Sequence, residues 1–81
     1  MDTLFSLKVF RQVVQSGSFT RAADQLEIST AMASKHVSHL ENTIQAKLLH
    51  RNNRNLHLTE AGEEYYRQCS YALDTLDTAA Q

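Results

Sequence analysis

Apolar residues in this chain recur every three or four positions in four stretches, and alternate with polar ones in a single short stretch between the third and the fourth. The three-to-four period predicts amphipathic helices and the alternation predicts a strand. The first helix is predicted over about Thr3 to Gln15, with Leu4, Leu7, Phe10, Val13 and Val14 inward and Lys8, Arg11, Gln12 and Gln15 outward. Ser16-Gly17 ends it, because Gly17 takes positive φ without a steric cost. Ser18 caps a second helix with Phe19, Ala22, Ala23 and Leu26 inward. The alanine pair lets the next helix cross closely.

Glu27-Ile28 is a tight turn, and Ser29 caps a third helix over about Thr30 to Ile44. Its inward stripe is Ala33, Val37, Leu40 and Ile44. Thr30, Ala31, Ser34, Lys35, Ser38 and Asn42 face outward, with Met32, His36 and His39 on the flank. Leu48–Arg51 and Asn55–Leu58 then read as two short strands around Asn52-Asn53-Arg54, a turn sequence in which asparagine tolerates the left-handed region. A lone hairpin is marginal in water, so this one must lean on the helices through Leu48, Leu56 and Leu58. Thr59 caps the last helix, about Glu60 to Ala80, whose first-turn acids suit the positive end of its dipole. The fold class is therefore all-α with a small β-hairpin, a helix-turn-helix carrying a wing and followed by a long helix.

Composition bounds this picture. Eighty-one residues with a 42% hydrophobic fraction make one globular domain with a modest core. No apolar run is long enough to span a bilayer, so no membrane is expected as a partner. The acidic, amphipathic start is not that of a signal peptide. Cys69, the single cysteine, excludes an intrachain disulfide and a four-cysteine zinc site, and a cytosolic protein is the simplest expectation.

Charge adds a second layer. The net charge is −1, yet residues 1–58 hold seven Lys/Arg against four Asp/Glu, and residues 59–81 hold one against five. A basic body with an acidic last helix suggests two faces with two jobs, and local charge decides what a surface attracts. A third helix that is apolar inside and small, hydroxylated and basic outside suits a helix resting on a core and entering a groove of DNA.

The blocks S-F-T-R-A-A-D-Q-L-x-I-S, A-S-K-H-V-x-x-L-E and L-L-x-R-x-x-R-x-L-x-L-T-E-A-G, running from Ser18 to Gly62, closely resemble the N-terminal DNA-binding region of LysR-type bacterial transcriptional regulators. The resemblance covers nearly the whole chain, from Leu7 on. It implies a winged helix-turn-helix over 1–58 and a linker, or dimerisation, helix over 59–81. It also implies a larger effector-binding domain that this chain lacks, where any small-molecule effector would act. Members often carry Gln, then Pro or Ser, in place of Thr30 and Ala31, and Ala, then Leu or Val, in place of Met32 and Ala33. The target sequence is therefore not carried over. Glycine is usual where Gln45 stands, so the third helix needs another ending or a residue strained by roughly 1 kcal/mol at positive φ.

The expected DNA-binding residues follow. Thr30, Ala31, Met32, Ser34 and Lys35 lie where a groove-bound helix reaches base edges, and Ala31 or Met32 can pack on a thymine methyl. Ser18, Thr20, Arg21, Ser34 and Ser38 suit phosphate positioning, although for Ser18 plain helix capping is the better reading. Arg51 and Arg54 flank the hairpin tip. Either can enter a narrow minor groove, and Arg51 can instead pack its stem on its own domain. His36 and His39 are three apart on one helix, but no third ligand completes a metal set, and no metal or cofactor is expected. As extra donors near phosphate, the histidines would strengthen binding below about pH 6.5.

A helix of about 20 residues reaches about 30 Å, beyond so small a body, which makes a second copy its natural partner. In LysR-type proteins linker helices pair in this way. Tyr65, Cys69, Ala72, Leu73 and Leu76 are assigned to that interface, with Cys69 as a small thiol in the seam rather than a redox sensor. A two-fold dimer then reads an interrupted palindromic operator in double-stranded DNA. No glycine-rich phosphate loop or nucleophile–base pair points to an enzyme. A protein-binding helical module and a histidine-based metal switch are the competing readings.

Overall fold

The computed structural model describes residues 1–51 and 56–80. Helices α1 (Thr3–Ser16), α2 (Phe19–Leu26) and α3 (Thr30–Ile44) are followed by strands β1 (Leu49–Arg51) and β2 (Leu56–Leu58) and by helix α4 (Glu60–Ala79). The strands pair antiparallel, with Leu49 opposite Leu58 and Arg51 opposite Leu56. The predicted turn at Asn52-Asn53-Arg54 lies outside the described residues.

The helix starts follow the predicted caps. Ser18 Oγ accepts the Arg21 N–H at 3.1 Å, Ser29 Oγ the Met32 N–H at 3.0 Å, and Thr59 Oγ1 the Gly62 N–H at 2.9 Å. Each satisfies a donor that the first turn of a helix leaves unpaired. α1 is capped by Asp2, whose carboxylate accepts the Leu4 N–H at 3.0 Å. At the helix ends Gly17 adopts φ 72°, as expected. Glu27 and Gln45 also sit in the left-handed region, at φ 58° and 57°. The Gln45 N–H donates to the Glu41 carbonyl, so this chain accepts the strain at Gln45 instead of ending α3 differently.

The core forms where α1, α2 and α3 cross and where α4 and the hairpin close over them. It comprises Val9, Phe10, Val13, Ala22, Ala23, Ala33, Val37, Leu40, Leu48, Leu49, Cys69 and Leu73. Two inward assignments fail: Leu4 and Ile44 are exposed, while Val9 takes a central place. Leu4 lies in the first turn of α1 and Ile44 in the last turn of α3, where among the described residues no other element covers them. His36, expected on a flank, is buried. Its Nδ1 lies 2.7 Å from Ser6 Oγ, and its ring meets Phe5 edge-on at 5.1 Å between centroids. Ser6 donates its own proton to the Asp2 carbonyl at 3.0 Å, so it is the imidazole Nδ1–H that donates to Ser6. Burial holds the His36 pKa below its usual value, outweighing the opposing pull of Asp2.

α4 is anchored at its root. Thr59 N–H donates to the Leu48 carbonyl at 3.0 Å, and Thr59 Oγ1 donates to the Lys47 carbonyl at 2.5 Å. A Cβ at Gly62 would lie 2.0 Å from that same Leu48 oxygen, so glycine is required for the close approach. Further along, Phe10 of α1 meets Tyr65 and Tyr66 edge-on, and Arg11 pairs with Asp74 at 2.8 Å. Part of the acidic charge of α4 is thus matched inside the molecule.

Candidate nucleic-acid interface

α3 is pinned to α1 and α2 by Ala33, His36, Val37 and Leu40, all on its inner face. That leaves the opposite face of its first turns free. Thr30, Ala31, Met32 and Lys35 are exposed there, and Ser34 and Ser38 are half-buried. The polar face read from spacing is therefore solvent-accessible, and it starts at the N-terminal end of α3. At the start of α2, Thr20 and Arg21 are exposed, while Ser18 is occupied as a cap.

Arg51 behaves differently from the other expected contacts. Its guanidinium donates to Ser34 Oγ at 3.1 Å, lies 3.5 Å from Glu41 Oε1, and sits 4.7 Å from the centre of the Phe19 ring. Of the two roles open to it, packing on its own domain is the one the structure displays. Arg54 lies outside the described residues. Glu41 is the residue that pattern reading missed. It is 6% exposed, and its Oε2 accepts the Leu48 N–H at 2.8 Å and the Leu49 N–H at 3.4 Å. The signal available was its position as the only acid within a basic stretch, one turn before the helix ends.

The histidines do not gather. His36 is committed to Ser6, so it cannot reach phosphate or join His39 around a metal. His39 is half-buried, and His50 and His57 are exposed and face each other across the strand pair.

The residues expected at a dimer seam divide as well. Cys69 and Leu73 are buried within the chain itself, and the Cys69 thiol donates to the Leu7 carbonyl at 3.4 Å. Tyr65 is half-buried against Phe10. The docking of α4 on α1 thus covers these three, and a second copy cannot reach the two fully buried ones. Ala72 and Leu76 remain exposed, and Tyr71, which was not assigned, is 76% exposed. Burial pushes the Cys69 thiol up to about 11, which leaves little reactive thiolate near neutral pH.

A helix-turn-helix with a hairpin wing and a free polar face on its second helix defines a winged DNA-binding domain. The sequence profile of the bacterial regulatory helix-turn-helix proteins of the lysR family matches residues 4–63. The chain is 47% identical over 79 residues to an uncharacterized HTH-type transcriptional regulator of Haemophilus influenzae, covering 98% of this chain and 27% of that protein. It is 49% identical over 69 residues to the HTH-type transcriptional activator AaeR of Escherichia coli, covering 85% and 22%. Among solved structures, the BenM DNA-binding domain in complex with catB site 1 DNA superposes with a TM-score of 0.90 at 32% identity, covering 99% of this chain and 85% of that one. This chain belongs to the LysR family and forms its winged helix-turn-helix DNA-binding domain. It spans about a quarter of the length of the regulators it matches. Among the described residues no helix is long and apolar enough to cross a membrane.

Proposed function

We propose that this chain binds a specific double-stranded DNA site as a homodimer and supplies the DNA-reading part of a bacterial transcription regulator. The observation that carries this reading is the solvent-exposed N-terminal face of α3, with Thr30, Ala31, Met32 and Lys35 projecting from a helix whose opposite face is locked into the core. In the major groove, Thr30 and Lys35 would donate to base edges or phosphates, and Ala31 and Met32 would pack on thymine methyls. Thr20 and Arg21 at the start of α2, with Ser34 and Ser38 on α3, would hold the backbone, and the wing would lie along the adjacent minor groove. Ser34 has a proton left to donate, since it uses an acceptor lone pair for Arg51.

The dimer contact in this reading is the exposed part of the α4 stripe, Ala72 and Leu76, in place of the longer seam expected from spacing. It divides the chain into a DNA-reading body, 1–58, and a pairing helix, 59–81. Two α3 helices related by a two-fold axis would fall on an interrupted palindrome.

Selection of bound duplexes from a random pool tests this directly. An enriched half-site repeated in inverted orientation is expected, with affinity falling steeply as salt rises. Lys35→Ala should then weaken binding to the selected duplex by about 1–3 kcal/mol. A pool that yields no enrichment at low salt would refute sequence-specific binding.

A further inference from the structure

We propose that Arg51 is a positioning residue that sets DNA specificity by locking the wing to the recognition helix. This rests on the DNA-binding reading above and adds a component to it. Arg51 closes β1 and pairs with Leu56 of β2, so locating it locates both strands. Its side chain does not point away from the body. It lies along one face of α3, with one nitrogen on Ser34 and another near Glu41. These two residues are seven apart, two helical turns on the same face, and Ser38 lies between them. The Phe19 ring at the start of α2 backs the guanidinium.

Glu41 completes the lock. One carboxylate oxygen accepts from the backbone of Leu48 and Leu49 as the chain enters β1, and the other faces Arg51. The buried Glu41 charge is thus held by two backbone donors and a cation. Glu41 in turn offsets the Arg51 charge, which weakens Arg51 as a phosphate contact. A planar guanidinium that bridges two acceptors and stacks on a ring fixes an angle, whereas a lysine ammonium in its place supplies charge alone. The wing and α3 would then meet DNA as one rigid unit, and only sites with matching groove geometry would satisfy both at once. Lys47, 82% exposed on its side chain, also approaches this carboxylate, its Nζ 4.0 Å from Glu41 Oε1.

The test compares the wild-type chain with R51K, R51Q, S34A and the S34A/R51Q double variant. Affinity is measured on a duplex selected from a random pool and on a scrambled duplex of equal length, across a salt series, with thermal melts alongside. The lock requires R51K and R51Q to lower the ratio of selected to scrambled affinity about tenfold or more, with the salt slope unchanged. S34A should lower the ratio in part, and adding S34A to R51Q should lower it no further, since both remove one coupled contact, while the phosphate contact of Ser34 is lost equally on both duplexes. Should R51Q melt below the assay temperature, R51K and S34A decide the matter. An R51K chain with the wild-type ratio overturns the lock. So does an R51Q chain whose salt slope falls by about 0.9 at an unchanged ratio, the signature of one lost phosphate contact. A wild-type chain that prefers no duplex overturns the DNA-binding reading and the lock together.

Discussion

Helices α3 and α4 both dock on α1, and they do so in opposite ways. α3 is buried along its inner face from Ala33 to Glu41 and offers its polar N-terminal face to solvent. α4 is buried at Gly62, Cys69 and Leu73, and its last turns leave the body. The apolar spacing along α4 does not change where burial stops: Leu76 continues the line of Cys69 and Leu73 yet is 53% exposed. Periodicity marks which face of a helix is apolar, but the reach of the neighbouring element decides how much of that face is covered. For α4 the neighbour is α1, which among the described residues reaches it beyond Leu73 only through the Arg11 side chain, paired with Asp74 at 2.8 Å and 3.9 Å from Asp77.

The contrast can be broken at the root of α4. Gly62→Ala places a methyl group against the Leu48 carbonyl, a backbone atom with little freedom to retreat. A loss of about 4 kcal/mol in urea unfolding is expected, as for overpacking beside main chain. Full stability in that variant would show that α4 can dock farther out. Leu73→Ala probes the buried stretch, where about 3 kcal/mol should be lost to the cavity. Leu76→Ala should change monomer unfolding by less than about 0.5 kcal/mol, as at other exposed sites. Its effect belongs instead in sedimentation equilibrium, as weaker self-association. Equal losses for the two leucines would erase the distinction between the halves of α4.

Thiol chemistry sharpens the same boundary. With its thiol near 11, Cys69 should react with Ellman's reagent about 100-fold more slowly than an unperturbed cysteine at pH 8. A cysteine placed at position 76 in a Cys69→Ser background should react at the rate of a free thiol. Comparable rates at the two positions would mean that α4 undocks from α1 readily.

The corresponding probe of α3 is pH. Burial lowers the folded-state pKa of His36, so below the unfolded-state value of 6.5 the unfolded chain binds more protons than the folded one. The contribution of His36 is therefore fully present above pH 6.5 and is lost as pH falls toward the lowered value. The melting temperature should drop between pH 7.5 and pH 5.5, and His36→Gln should flatten that drop. An equal pH dependence in the variant would place the titration elsewhere. This is the reverse of the expectation that His36 strengthens DNA binding at low pH.

The sequence alone determined the order and type of every element. Caps and periods are local, since Ser18, Ser29 and Thr59 each satisfy a donor three residues away. It also determined the polar N-terminal face of α3, because that face is complementary to the apolar stripe on the same helix. Only the tertiary structure decided the fates of Glu41, Arg51, His36 and Cys69. Three are held by groups far away in the chain, Arg51 by Ser34 and Phe19, His36 by Ser6 and Cys69 by Leu7, and Glu41 is held across the following turn by Leu48 and Leu49. A polar side chain carries no local mark of whether it will face solvent or a buried partner. That depends on which acceptors the packing of distant elements brings within about 3 Å, the range in which a buried hydrogen bond offsets lost hydration.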